Sequence, residues 1–352
     1  MNKNKLCGFT LYLTNDCNLR CSHCWVSGGE KADYLPIESI KKRADEAYSL
    51  GVRSFLLTGG EPFIHPNIMD IISYIASKDD VSLHIETNGT IISDEQITVL
   101  AKYADIQLSV SVDAATPIIH DKIRGVQGAF DVTIATVEKL VKSNLLAQCI
   151  MAVSKLNCNQ VEDTILLCIS LGVSHIRILP VQPCGRGEDL AKNSISFNVE
   201  EQIEFYKRQQ ELKNKYHNQI VVRTPIPPAF LELSEVKCYQ NECSFCNRLT
   251  LLPNERYSMC GIGEAHEDYQ FGQPGITSVN DCWNKDKRVE QILNYSLTDY
   301  KMPCSVCIYK NLCKGFCRAV AIQFPFVEIE SYRFCAAAFK KGLFPKKCII
   351  NR

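Results

Sequence analysis

The chain has 352 residues, 46% of them hydrophobic and 22% charged, which is enough for a large α/β domain with a real core and a smaller companion. Lys plus Arg equals Asp plus Glu at 39 each, so no summed field calls for DNA or an acidic membrane as partner. No apolar run nears the ~20 residues of a membrane span, and the N-terminus lacks the apolar core and cleavage site of a signal peptide. The expectation is a cytoplasmic protein without a nucleic-acid or membrane partner.

In chain order, strand-like and helix-like segments alternate up to about residue 182. Residues 6–14 read as a strand. Residues 36–50 read as a helix, opened by Pro36, carrying Ile37, Ile40, Ala44 and Ala47 on one face, and stopped by Gly51. Further strands are expected at 53–57, 81–87, 106–112, 147–153 and 175–181, with helices at 67–77, 94–103, 129–143 and 160–171. Six such units imply parallel βαβ connections and an α/β fold, a partial (β/α)6 barrel, in which chemistry sits at the C-terminal ends of the strands.

After Pro183 the pattern changes. Residues 199–216 form a charged helical stretch, and 224–228 carry three prolines that suggest a linker. Eleven of the nineteen cysteines then fall between Cys238 and Cys348. The expected division is therefore 1–185 for the barrel, 186–237 for a helical linker region and 238–352 for a cysteine-organised domain. In a cytosolic chain, clustered cysteines bind metal or do redox chemistry more often than they form disulfides.

Directly after the first strand stand Cys17, Cys21 and Cys24, a C-x3-C-x2-C spacing with His23 before the third cysteine. Three thiolates on one loop can hold a cube-shaped iron-sulfur cluster and leave its fourth iron without a protein ligand. A zinc knuckle is the competing reading. Thr58-Gly59-Gly60-Glu61-Pro62 ends the second strand, Glu86-Thr87-Asn88-Gly89 the third, and Ser109-Val110-Ser111-Val112-Asp113 the fourth.

With these motifs the chain resembles the radical S-adenosylmethionine (SAM) superfamily. The resemblance implies that the open iron chelates SAM, and that Gly59, Gly60, Glu61, Pro62 and Asn88 help bind it, with Ser111 and Arg124 on its carboxylate. It also implies a flavodoxin- or ferredoxin-type electron donor, reductive cleavage of SAM to a 5'-deoxyadenosyl radical, and abstraction of a substrate hydrogen atom.

Near the C-terminus, Cys304, Cys307, Cys313 and Cys317 run as C-x2-C-x5-C-x3-C, followed by Cys335. This resembles the SPASM extension of radical SAM enzymes, which holds two auxiliary clusters, so that three [4Fe-4S] clusters are implied in all. Carried over, Cys304, Cys307, Cys313 and Cys335 hold one cluster, and Cys317 joins Cys246 and Cys260 on the other. The last ligand is Cys243 or Cys238, with Cys243 preferred for its C-x2-C spacing to Cys246. The family's C-x(9 to 15)-G-x4-C segment is broken here by Asn254 near the expected glycine. Structural zinc is the competing reading for this region as well.

SPASM resemblance favours a ribosomally made peptide as substrate, oxidised to a crosslink or thioether. The first strand begins almost at Met1, leaving no room for an N-terminal peptide-recognition domain, so a separate recognition protein or the barrel surface is expected to bind the precursor. The alternatives are oxidation of a small molecule, such as a sugar, alcohol or tetrapyrrole precursor, and a non-catalytic iron-sulfur or zinc protein. The remaining cysteines carry no cluster spacing. Cys149, Cys158 and Cys168 read as small hydrophobes, while Cys184, at the end of a barrel strand, is expected near the cavity. Glu264, His266, Glu267 and Asp268 read as a solvated charged loop, and no catalytic acid or base is assigned.

Overall fold

The computed structural model describes residues 5–30, 32–239, 247–294, 300–317 and 331–350. Strands β1 (Gly8–Tyr12), β2 (Ser54–Thr58), β3 (Ser82–Thr87), β4 (Ile106–Ser111), β5 (Leu146–Val153) and β6 (His175–Pro180) alternate with helices. These are α1 (Ile37–Ser49), α2 (Ile68–Ala76), α3 (Asp94–Leu100), α4 (Pro117–Arg124), α5 (Ala129–Lys142) and α6 (Val161–Ser170). The six strands pair in parallel in sequence order, as the βαβ reading expects.

Strand alternation sorts the side chains. Leu83 and Ile85, Leu108 and Val110, Cys149, Met151 and Val153, and Ile176 and Ile178 are all buried. Positions of the opposite parity carry the polar residues His84, Glu86, Ser109, Ser111, Gln148 and Arg177, with Ile150 and Ala152 on β5 among the apolar exceptions. A period of two therefore puts an apolar face under the helices and a polar face on the other side of the sheet. The helices match, with α2 burying Ile68, Ile71, Ile72 and Ile75 at i, i+3, i+4 and i+7.

The sheet does not stop at the sixth unit. After α7 (Gly187–Lys192) and α8 (Val199–Tyr216), β7 (Val221–Arg223) adds in parallel to β6. Later, β8 (Arg248–Leu251) adds in parallel to β1, and β9 (Tyr257–Ser258) pairs antiparallel with β8. Among the described residues this is one nine-stranded sheet with β7 and β9 at its ends. It crosses both expected boundaries, 185 and 238, because the linker region supplies one strand and the cysteine-rich region two. These strands are only two to four residues long, too short to show a period of two in the sequence.

One large apolar cluster unites the regions, from Phe9 and Leu57 through Ile178 to Phe271, Phe334 and Phe344. Among the described residues no helix is long and apolar enough to cross a membrane.

Candidate active site

Side chains from β1 to β7 border one cavity of about 1400 Å3: Tyr12, Thr58, Glu86, Ser111, Gln148, Arg177 and Arg223. Since one space touches seven strands, the sheet must curl around it. Cys17, Cys21 and Cys24 lie in its wall with Gly59, Gly60, Asn88 and Arg124.

The loop after β1 is held by backbone pairing on two sides. Arg20 and Ser22 donate to the carbonyls of Arg124 and Ile123 at the end of α4, at 2.9 and 2.8 Å. Gly60 and Glu61 donate to the carbonyls of Thr14 and Asp16, at 2.7 and 2.8 Å. This approach explains the glycines. A Cβ on Gly60 would overlap the Asp16 carbonyl, and one on Gly59, which adopts φ +140, would overlap the Thr14 carbonyl. The glycine pair thus docks the cysteine loop onto β2 while leaving both residues in the cavity wall.

Arg186, which the sequence reading did not single out, is a third tether. Its backbone N–H donates to the Cys24 carbonyl at 3.0 Å. Its guanidinium donates to the carbonyls of Cys21 at 2.8 Å and Gly28 at 3.2 Å, and pairs with Glu30 at 3.0 Å. Nothing in a lone arginine after β6 announces contacts more than 150 positions away.

Cys17, Cys21 and Cys24 stand close enough to influence one another's charge. Burial pushes the Cys17 thiol up to about 12 and raises Cys21 as well, so thiolates here need a cation to form. The Cys17 sulfur accepts from the Leu19 N–H at 3.4 Å and the Cys24 sulfur from the Gly28 N–H at 3.2 Å. Three thiols bordering open space beside glycine backbone fit a cluster with one iron left for another ligand.

Asn88 lines the cavity, but its side chain serves the loops: Nδ2 donates to Asn18 at 2.9 Å, and Oδ1 accepts from Thr90. Ser111 ends β4 at the cavity. Arg124 reaches it from α4 while pairing with Asp113 at 2.9 Å and approaching the Cys21 sulfur at 3.6 Å. Asp113 is fully buried. Burial opposes its charge, but Arg124, then His23 and His120, act the other way and hold its carboxyl below the usual carboxylate range.

Glu61 and Pro62 are buried and do not line the cavity. The Glu61 carboxylate accepts from the Phe63 N–H at 3.1 Å, the Thr87 hydroxyl at 2.8 Å and the Asn88 N–H at 2.7 Å. It is the pin between β2 and β3. Burial pushes its carboxyl up to about 7 against these bonds.

A group raised in the folded state favours folding less as pH climbs from its ordinary value of 4.5 to about 7. Glu61→Gln, which cannot ionise, is expected to be less stable than wild type by about 1–3 kcal/mol near pH 5. The gap should narrow between pH 5 and pH 8, as wild type alone loses stability. Urea denaturation of both proteins across that range checks this, and a constant gap refutes the assignment.

The lumen holds a polar row in which the motif members Thr58, Glu86 and Ser109 are joined by His84 and Gln148, which the sequence reading passed over. His84 Nε2 lies 2.7 Å from the Ser109 hydroxyl, Gln148 donates to the same hydroxyl at 3.0 Å, and Thr58 donates to Glu86 at 3.2 Å. The available signal was the polar side chains alternating with apolar ones on β3 to β6.

In the C-terminal region Cys304, Cys307, Cys313 and Cys335 surround one small pocket. Cys260 and Cys317 border the main cavity instead, as does Cys238. Cys243 and Cys246 lie outside the described residues. Counting back from Cys260, the position matching the family's glycine is Glu255 rather than Asn254. It has φ +60, the left-handed conformation that glycine favours.

Cys184 is buried with its thiol 3.8 Å from the Trp25 carbonyl, not in the cavity wall. Cys149 and Cys168 are buried, but Cys158 is exposed. His266, Glu267 and Asp268 are exposed, whereas Glu264 is half-buried near Tyr12.

Residues 11–168 match the family described as the radical SAM superfamily. Among curated relatives, the chain is 33% identical over 183 residues to the antilisterial bacteriocin subtilosin biosynthesis protein AlbA of Bacillus subtilis. That match spans 51% of this chain but only 41% of AlbA. It is 27% identical over 339 residues to an AdoMet-dependent heme synthase of Methanosarcina barkeri, spanning 91% of this chain and 94% of that protein. Streptococcus suis SuiB, solved bound to precursor peptide SuiA, superposes with a TM-score of 0.74 at 16% identity. The superposition covers 93% of this chain and 75% of SuiB, so the fold is shared well beyond residue 168.

Proposed function

The chain carries a radical SAM domain over residues 11–168, and from that premise we propose that it oxidatively modifies a ribosomally made peptide, forming a crosslink or thioether. The observation that carries the reading is the single cavity. At about 1400 Å3 it exceeds the roughly 300–1,000 Å3 of a single small-ligand site, which leaves room for a substrate beside SAM, and it borders both the cysteine loop and the end strand β7. Similarity to AlbA, whose name is that of a bacteriocin biosynthesis protein, points the same way.

Cys17, Cys21 and Cys24 would hold a [4Fe-4S] cluster. Gly59, Gly60, Ser111 and Arg124 would face SAM, with Arg124 as the cation for its carboxylate. Bound there, cluster and SAM supply one-electron cleavage of the sulfonium and a carbon radical that takes a substrate hydrogen atom.

The protein's own part is positioning and charge. Arg186 and the glycine pair fix the cysteine loop, Asp113 orients Arg124, and Glu61 with Asn88 ties the neighbouring strand ends. Two auxiliary clusters are proposed, one on Cys304, Cys307, Cys313 and Cys335 and one on Cys260, Cys317 and Cys246 with Cys243 or Cys238. The place of Cys260 and Cys317 on the main cavity favours the second as acceptor of the substrate electron. A flavodoxin- or ferredoxin-type protein is the proposed donor to the SAM-side cluster.

A second reading rests on the near full-length similarity to the heme synthase, and takes a tetrapyrrole precursor as substrate. The test uses the anaerobically reconstituted, reduced full chain with SAM. It is incubated with synthetic peptides tiling the short open reading frames beside its gene, and separately with tetrapyrrole precursors. A peptide lighter by two hydrogens, formed together with 5'-deoxyadenosine, is expected. Oxidation of the tetrapyrrole with all peptides unchanged would overturn the peptide reading.

A further inference from the structure

The part of the cavity wall formed by α8 and β7 contains a side chain that nothing above uses. The Asn198 and Glu201 capping box starts α8, which buries Phe205, Gln209, Leu212 and Tyr216 along one stripe. Gln209 is the polar member of that stripe and only 2% exposed.

One end of its carboxamide accepts from the Thr224 hydroxyl at 3.5 Å. The other, Nε2, is buried without a hydrogen-bond partner. Whichever way the amide is turned, one polar end is left over. An unpaired buried amide is costly, and such a cost is offset when a ligand supplies the partner.

Beside Gln209 the cavity wall is β7 and its continuation, with Val222, Arg223 and Thr224 all bordering the same space as the cysteine loop. β7 is an end strand. Its Val221 N–H donates to the Ser174 carbonyl at 2.9 Å on the β6 side. Alternation along the strand therefore turns the N–H and C=O of Val222 to the other edge, where no strand lies among the described residues. Thr224, two residues on, continues that edge.

An edge with donors and acceptors at every second residue matches the repeat of another extended main chain, which a compact small molecule does not share. Arg223, exposed on the same strand, adds a positive charge at the opening.

We propose that β7 and Gln209 form a main-chain-reading subsite: an extended peptide segment with an acidic side chain near Arg223 pairs with the open edge of β7, and a peptide carbonyl accepts from the Gln209 carboxamide. The inference rests on the peptide reading above and deepens it. It names the wall that binds the substrate, leaving the cysteine loop for the chemistry.

The experiment uses the reconstituted full chain, with synthetic 15-residue peptides tiling the neighbouring short open reading frames as probes. Gln209→Leu keeps the side chain's bulk and removes its donor. Val222→Pro removes an N–H from the outer side of an edge strand, where proline is tolerated, but also trims a side chain of the apolar cluster, so its urea stability is measured alongside. Each variant is expected to raise KM for the modified peptide about 10-fold, with a smaller change in kcat and wild-type iron content. Peptide addition should also slow amide exchange at Val222 and Thr224 in the wild type.

If a peptide is modified but KM in Gln209→Leu and exchange along β7 both stay unchanged, the subsite is wrong and the peptide reading stands. If the wild type modifies no peptide, both fall.

Discussion

Replacing Cys17, Cys21 and Cys24 together by Ala is expected to abolish SAM cleavage, to background, while a reconstituted protein carrying the two proposed auxiliary clusters would keep roughly eight of about twelve irons. The expectation is sharp because the loop does not rely on its thiols for shape. Its backbone bonds to Arg124, Ile123, Thr14 and Asp16, and the Arg186 tether, all involve main-chain groups that alanine retains. Besides the ligands, the change removes the weak contacts to sulfur from the Leu19 and Gly28 N–H groups and from Arg124. Iron assay and 5'-deoxyadenosine measured on the same anaerobic preparation provide the check. Cleavage that persists would move the chemistry to another cysteine set, and loss of all iron would show that the loop supports the whole molecule.

Asp113→Ala is expected to be the most destabilising single change near the site, at about 3–5 kcal/mol. Asp113 is fully buried and Arg124 nearly so, and they pair at 2.9 Å. Removing the carboxylate strands a buried guanidinium, and also takes the acceptor at 2.9 Å from the Ala152 N–H on β5. Removing both charges behaves differently. Asp113→Ala with Arg124→Leu should recover much of the stability, since no uncompensated charge remains, yet bind SAM weakly because the proposed carboxylate partner is gone.

Urea denaturation and SAM titration of both variants separate the structural from the binding role. Because Asp113 is held below its ordinary value of 3.8, the pair's contribution is complete above that pH. It is lost as pH falls through the lowered value. A loss under about 1 kcal/mol in the single variant would refute the argument.

The glycine pair and the lumen show how differently the residues could be read. Gly59 and Gly60 were visible as a motif after a strand, and the overlap of a Cβ with Thr14 and Asp16 supplies their physical reason. Glu61 was legible as a motif member but not as a pin, because its partners Thr87 and Asn88 stand 26 and 27 positions away. Arg186 and Gln209 gave no local signal beyond a charge after β6 and a polar residue in an apolar stripe. Strands β7 to β9 were missed because two to four residues carry too little pattern, and pairing with β6 and β1 is what makes them strands.

By itself, the sequence determined the six parallel units, the cysteine loop at their C-terminal mouth and the division of cysteines between two ends of the chain. Hydrophobic periodicity and ligand spacing are local properties, so they are written along the chain. Only the tertiary structure decided that one sheet spans all three expected regions, that Cys260 and Cys317 share the cavity with Cys17, Cys21 and Cys24, and that Arg124 is tied to Asp113. Those facts depend on how the sheet curls and which strand ends meet across it. Such contacts join residues far apart in sequence, and no window along the chain contains them.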